Sequence, residues 1–211
     1  MKPALSPLTE HAYKQSILFI VLSALGFALF WAMRFYAQWI NVDILYALYL
    51  TPDTAAHYWA QQITWLGSAH VFLVGAAVLF FISLWHKNYK LCVFMVLFSF
   101  MALGSVGFFK WFIHSARPSL AGEDMLFNSF PSGHTARTVV LLLMLWEVLK
   151  RYTPKLAKQP ITYIFLVLIA LVVGYSRLAL AAHWMTDVMA AYCLMLFWYI
   201  GLQKIRLTAP Q

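Results

Sequence analysis

Lys110, Arg117, Ser132, Gly133, His134, Arg177, His183 and Asp187 fall within three short strings of an otherwise greasy chain: Lys110 to Pro118 (KWFIHSARP), Pro131 to His134 (PSGH) and Ser176 to Asp187 (SRLALAAHWMTD). Hydrocarbon surroundings make every buried ion expensive, so cations, imidazoles and a carboxylate kept there mark a functional site. These residue types describe a phosphate pocket with its own nucleophile. A phosphoryl group in transfer spreads charge over its equatorial oxygens, and the protein's main task is to position and neutralise it. Lys110, Arg117 and Arg177 carry that charge, the arginines as planar forks and the lysine as a movable point charge. Any one of them alone at a helix end reads as a snorkelling cation.

In the second string Pro131 sets the chain direction, Ser132 offers a hydroxyl, and Gly133 lets the backbone come close to a ligand. The string opens an apolar run whose free amides and positive dipole end favour an anion. Ser-Gly at a helix start is by itself only a cap; His134 adds chemistry to it. His183 and Asp187 are four residues apart, hence on one face of a helix. The carboxylate then holds one imidazole nitrogen as a donor and leaves the other as a nucleophile. Two histidines permit a double displacement, with His183 attacking phosphorus and His134 acting as acid and then base. Asp and Glu number seven in the whole chain. No carboxylate cage beside the strings is visible beyond Glu123 and Asp124, so the reading involves no metal and no cofactor.

The elements that must position these residues are membrane helices. Of 211 residues, 63% are hydrophobic and 10% charged, with a mean hydropathy of +0.75, outside the range of soluble domains. Crossing hydrocarbon takes roughly 20 apolar residues. Segments of that kind recur near 17–33, 63–84, 91–113, 135–149, 161–180 and 184–203. The expected architecture is all-α, a polytopic membrane protein with six transmembrane helices in one domain over 1–211. Trp31, Trp39, Trp59, Trp65, Trp85 and Trp184 fall at or between the ends of these segments, as interfacial belts require.

A formal net charge of +8 raises the question of nucleic acid, but the basic residues form no patch interleaved with exposed aromatics. Their distribution is topological. Lys2, Lys14, Lys87, Lys90, Lys150, Arg151, Lys155, Lys158, Lys204 and Arg206 occupy alternate connections, which the positive-inside rule makes cytoplasmic. Arg34, Lys110, Arg117, Arg137 and Arg177 remain, and three of these belong to the strings. Both termini are then cytoplasmic and the site opens at the outer membrane face, the periplasm or exterior of a bacterial inner membrane. Because odd spans run outward and even spans inward, the ends of spans three and five and the starts of four and six share that face.

Residues 41–62 (NVDILYALYLTPDTAAHYWAQQ) are too polar to span and suggest an amphipathic segment in the outer interface or an ordinary connection. The stretch from His114 to Pro131, with Pro118, Gly122, Glu123, Asp124 and Asn128, is turn-forming. Span one reads as a signal anchor and not a cleaved leader, since no small-x-small site follows it. Cys92 and Cys193 have neither disulfide nor metal-ligand spacing.

The three strings together resemble the signature of the type-2 phosphatidic acid phosphatase superfamily: Lys, six residues, Arg-Pro; Pro-Ser-Gly-His; and Ser-Arg, five residues, His, three residues, Asp. Every position is filled, by Lys110, Arg117, Pro118, Pro131, Ser132, Gly133, His134, Ser176, Arg177, His183 and Asp187. The resemblance implies a metal-independent phosphatase acting on a membrane lipid phosphate or diphosphate, undecaprenyl diphosphate or phosphatidylglycerophosphate. It implies His183 as nucleophile through a phosphohistidine, His134 as acid/base, Asp187 beside them, and Lys110, Arg117, Ser132, Gly133 and Arg177 on the phosphate. His114 and Arg137 lie outside the signature but near enough in sequence to flank the pocket and influence substrate choice. A lipid A phosphatase or a lipid phosphotransferase is the nearest alternative. A non-catalytic phospholipid-binding or transport protein is the alternative of another class. The partners expected are the lipid substrate and the bilayer, with no nucleic acid.

Overall fold

The computed structural model describes residues 7–118, 120 and 128–208, with side chains described from 13 to 204 within those ranges. Gly122, Glu123, Asp124 and Lys2 lie outside the described residues, as does the Arg206 side chain. Nine helices and no strand are found among the described residues. They are α1 (Pro7–Tyr36), α2 (Gln38–Leu48), α3 (Ala55–Trp65), α4 (Ala69–Trp85), α5 (Tyr89–Ile113), α6 (Gly133–Tyr152), α7 (Pro154–Ala157), α8 (Pro160–Ala179) and α9 (Met185–Thr208). Helices are the expected solution in lipid, because each satisfies its backbone polar groups internally.

α1, α5, α8 and α9 are each long and apolar enough to cross a bilayer, and α3 with α4 makes a fifth if that bent pair is taken as one span. The expected span at 63–84 is therefore broken. Gly67 and Ser68 interrupt it, and Ser68 caps α4 by accepting from Val71 N at 3.2 Å. The segment expected at 135–149 is a helix, α6, but its two ends are polar: Arg137 and Thr138 near the start, Glu147, Lys150 and Arg151 near the end. It escapes an apolar requirement because it is central, packing against α4, α5, α8 and α9, so that protein and not lipid surrounds much of it.

Those contacts make the core. Leu91, Phe94, Met95, Phe98, Ala102 and Val106 form one stripe of α5 at helical spacing, facing Ala136, Val140 and Met144 of α6 and Ala191, Leu194 and Met195 of α9. α1 packs along α9. The approach is close at Gly26, where an added Cβ would lie 2.8 Å from Cys193 Sγ.

Residues 41–62 form two short helices, α2 and α3, with a link between them that turns at Pro52 and Asp53. α2 is anchored: Asn41 is fully buried, and its Oδ1 accepts from Thr186 N at 3.2 Å. Leu45 packs against Ala181 and Trp184. The link is tied down where Leu50 N donates to Ala179 O at 2.9 Å. This segment thus braces the connection between α8 and α9.

Candidate active site

The ends of α5 and α8 and the starts of α6 and α9 converge, and each end is shaped by a local device. α5 stops because His114 takes a left-handed conformation (φ 47°), a common way of closing a helix. α8 stops where Ala181 does the same (φ 50°). The chain then folds back so that Ala182 N and His183 N both donate to Arg177 O, at 3.0 and 3.2 Å. α6 starts on Ser132, whose hydroxyl accepts from Thr135 N at 3.5 Å and from Thr135 Oγ1 at 3.0 Å. Its own hydrogen is used in neither contact. Ser132 N donates to Asp187 O at 3.0 Å, joining the second string to the third.

His183 is 2% exposed. Its Nδ1 lies 3.2 Å from Asp187 Oδ2, which also accepts from Trp184 N at 3.1 Å. On the other side of the ring, Arg117 Nη1 is 3.3 Å from Nε2 and donates to Ala182 O at 2.6 Å. A guanidinium has no acceptor atom, so Nε2 must present its lone pair and Nδ1 must carry the proton. Burial first, and then the charges of Arg177, Arg117 and Lys110, push this imidazole well below its ordinary value. The resulting species is a neutral ring whose Nε2 lone pair faces Arg117, with further cations around it.

Lys110 Nζ donates to the carbonyls of Asn128 and Ser129, and Asn128 Nδ2 returns a bond to Lys110 O at 2.7 Å. Arg177 is 5% exposed and donates from Nη1 to Thr64 Oγ1 at 2.5 Å. Arg137 is held by a bond from Nε to Gly67 O at 2.9 Å. A Cβ on Gly133 would stand 3.4 Å from Arg137 Nη1 and 3.9 Å from Lys110 Cε. Gly133 therefore sits between these two side chains. His134 is half-buried and among the groups acting on His183. The structure therefore brings Lys110, Arg117, Ser132, Gly133, His134, Arg177, His183 and Asp187 together, with Arg137 beside them. The His114 ring is exposed and is 3.4 Å from the Phe112 carbonyl.

Residues not counted among the candidates complete the surroundings. Arg34 of α1 reaches the Asp187 carboxylate, Thr64 of α3 holds Arg177, and Gly67 abuts His134. The Ala116 carbonyl accepts from Arg34 Nη2 (2.6 Å), Ser129 Oγ (3.0 Å) and Trp184 Nε1 (3.0 Å), which fixes the residue preceding Arg117. Only Arg34 carried a prior signal, as a charge just past the apolar segment at 17–33 and outside the basic connections.

Gly67 permits a contact that no other residue would. A Cβ there would lie 2.8 Å from His134 O and 2.9 Å from His134 Cβ, so Gly67→Ala must displace the α6 backbone. Overpacking of this kind costs about 1–3 kcal/mol, and misplacing a reacting group by ~1 Å costs on the order of 10² in rate. The variant should fold with a lowered melting temperature and lose roughly 10- to 10²-fold in kcat. Wild-type turnover in Gly67→Ala would mean that the α3–α4 turn does not set the position of His134.

Two histidines and a basic cradle thus meet at one end of a bundle of apolar helices. The family model described as PAP2 superfamily matches residues 90–209, and the chain belongs to that superfamily. Phosphatidylglycerophosphatase B of Bacillus subtilis (strain 168) is 31% identical over 140 residues, 63% of this chain and 66% of that protein, just under two thirds of its length. The crystal structure of the first transmembrane PAP2 type phosphatidylglycerolphosphate phosphatase from Bacillus subtilis superposes with a TM-score of 0.79 at 22% identity, covering 93% of this chain and 98% of the other. The crystal structure of Aquifex aeolicus LpxE gives 0.61 at 21%, covering 78% and 95%. The shared fold, together with the apolar helices, makes this an integral membrane protein.

Proposed function

We propose that the protein hydrolyses the phosphate of a membrane lipid through a phosphohistidine on His183. The observation that carries the reading is the pairing of His183 Nδ1 with Asp187 while Nε2 faces Arg117. In this mechanism Nε2 attacks phosphorus and the bond to the lipid oxygen breaks. His134 gives that oxygen a proton and then takes one from the water that releases phosphate. Lys110, Arg117 and Arg177, with the Ser132 hydroxyl and the backbone at Gly133, neutralise and hold the equatorial oxygens. Phosphatidylglycerophosphate is the leading substrate, since the relative at 31% identity is named for it. Undecaprenyl diphosphate is the second.

The same reading gives six spans, with α6 as the sixth: its 20 residues reach about 30 Å at ~1.5 Å each, the thickness of the hydrocarbon core. The site faces outward from a bacterial inner membrane. Its support is a polar cavity of about 600 Å³ at the opposite end of α5 and α6, lined by Lys87, Lys90 and Arg151, the side that the positive-inside rule assigns to the cytoplasm. One experiment tests substrate and orientation together. Phosphatidylglycerophosphate, undecaprenyl diphosphate and a lipid A 1-phosphate are presented to the outer leaflet of sealed right-side-out vesicles containing the protein. Phosphate release from phosphatidylglycerophosphate should be fastest and should not rise when detergent opens the vesicles. No release from any of the three overturns the hydrolase reading; release only after detergent overturns the orientation.

A further inference from the structure

Among the described side chains of α1, from Tyr13 to Tyr36, Arg34 is the single buried one, at 8% exposure; the rest of the helix is exposed or half-buried. A helix that offers lipid its leucines and phenylalanines therefore directs into the protein its most costly side chain. Both terminal nitrogens of the guanidinium are hydrogen-bonded there. Nη1 donates to Gln38 Oε1 at 2.5 Å and Nη2 to Ala116 O at 2.6 Å. Its carbon stands 5.1 Å from the centre of the Trp184 ring. Nε is 3.7 Å from Asp187 Oδ1. Neither Nε nor Oδ1 has a hydrogen-bond partner, so what joins them is charge.

Asp187 needs that charge. Its carboxylate is fully buried, and Oδ2 is taken by Trp184 N and His183 Nδ1. A buried carboxylate without a counterion is strongly disfavoured, and a neutral carboxyl would lose most of its hold on the imidazole proton. Lys110 and Arg117 also act on this carboxylate through their charge; Arg34 adds to them from outside residues 90–209, the part of the chain that the family model matches.

We propose that Arg34 is a positioning residue for the reaction, supplying from α1 the countercharge that keeps Asp187 oriented on His183 Nδ1. Its second bond, to Ala116 O, links the same guanidinium to the segment bearing Arg117, so α1 braces both sides of the nucleophile. The inference rests on the reading of His183 and Asp187 as the reacting pair.

The test is a double-mutant cycle on the full-length protein in nanodiscs, with kcat and KM measured on phosphatidylglycerophosphate or whichever lipid phosphate the wild type hydrolyses. Arg34→Gln keeps a donor for Ala116 O and removes the charge. It should lower kcat on the order of 10- to 10²-fold, the scale seen when groups supporting a reacting imidazole are removed, with KM changed less than about twofold. In an Asp187→Asn background the same change should cost less than about twofold, because the charge it serves is gone. Arg34→Lys, which keeps the charge, should restore most of kcat. Equal losses from Arg34→Gln in both backgrounds would overturn the proposal and leave Arg34 a packing element. So would full kcat in Arg34→Gln, or a loss in Arg34→Lys as large as that in Arg34→Gln. If Arg34→Gln fails to fold, the lysine variant alone decides. A wild type that hydrolyses no lipid phosphate overturns the proposed function itself, a result distinct from any of these.

Discussion

His183→Ala should form no phosphoenzyme and lose on the order of 10⁵–10⁶ in turnover, the loss typical of removing a covalent nucleophile. The expectation rests on the ring's surroundings: Nε2 is the nitrogen that keeps its lone pair once Asp187 has fixed Nδ1 as the donor, and the cations Arg117 and Arg177 act on the same ring. Rapid quenching with a radiolabelled lipid phosphate measures this directly, since a phosphohistidine is labile to acid and stable to base. Full labelling of His183→Ala would remove His183 from the nucleophile's role. Asp187→Asn should fold and retain a residual rate, about 10²–10⁴ below wild type. Its amide oxygen can still accept from Trp184 N and His183 Nδ1, but its amide nitrogen then faces Arg34. The pH dependence has a definite sign. Because burial and the neighbouring cations lower the His183 pKa, the neutral nucleophile persists below the ordinary imidazole range. The acid-side loss of phosphoenzyme formation should therefore lie below pH ~6.5. A loss centred above that value would contradict a buried, cation-flanked ring.

The residues that meet at the candidate site were legible because their types are rare in a greasy chain and their spacing is local: His183 and Asp187 share a face by arithmetic, and Ser132 announces a helix start. Alternation of spans was enough to predict that the ends of α5 and α8 and the starts of α6 and α9 meet. Thr64, Gly67 and Arg34 were not legible as parts of the site. Each is a lone residue on an element whose contact with the site is decided by tertiary packing: a hydroxyl that meets Arg177, a missing Cβ beside His134, a charge that meets Asp187. The break at Gly67 and Ser68 disappeared for a related reason. An apolar run averaged over 63–84 hides one capped turn, although Ser68 before Ala69 is an ordinary helix-start signal. His114, which proximity in sequence placed at the flank of the pocket, closes α5 in the left-handed conformation with its ring exposed.

His134→Ala should separate an acid from a phosphate ligand, because an acid matters only when the leaving group needs a proton. A lipid alkoxide is a poor leaving group, whereas nitrophenolate departs readily without help. The variant should therefore lose more rate on a lipid phosphomonoester than on nitrophenyl phosphate, by roughly the factor of 10²–10⁴ that general acid catalysis contributes. Steady-state rates mix two steps, since the same imidazole also activates the water that clears the phosphohistidine. The informative measurement is the first turnover: the nitrophenol burst for the aryl ester and phosphoenzyme formation for the lipid. His134 is held for this task from both sides, with Thr138 Oγ1 donating to its carbonyl at 3.1 Å and Gly67 against its backbone, so truncating the ring leaves the start of α6 in place. Equal losses in the first turnover on both substrates would mean that His134 contributes binding and not a proton, and the acid would have to be sought among the other groups around His183.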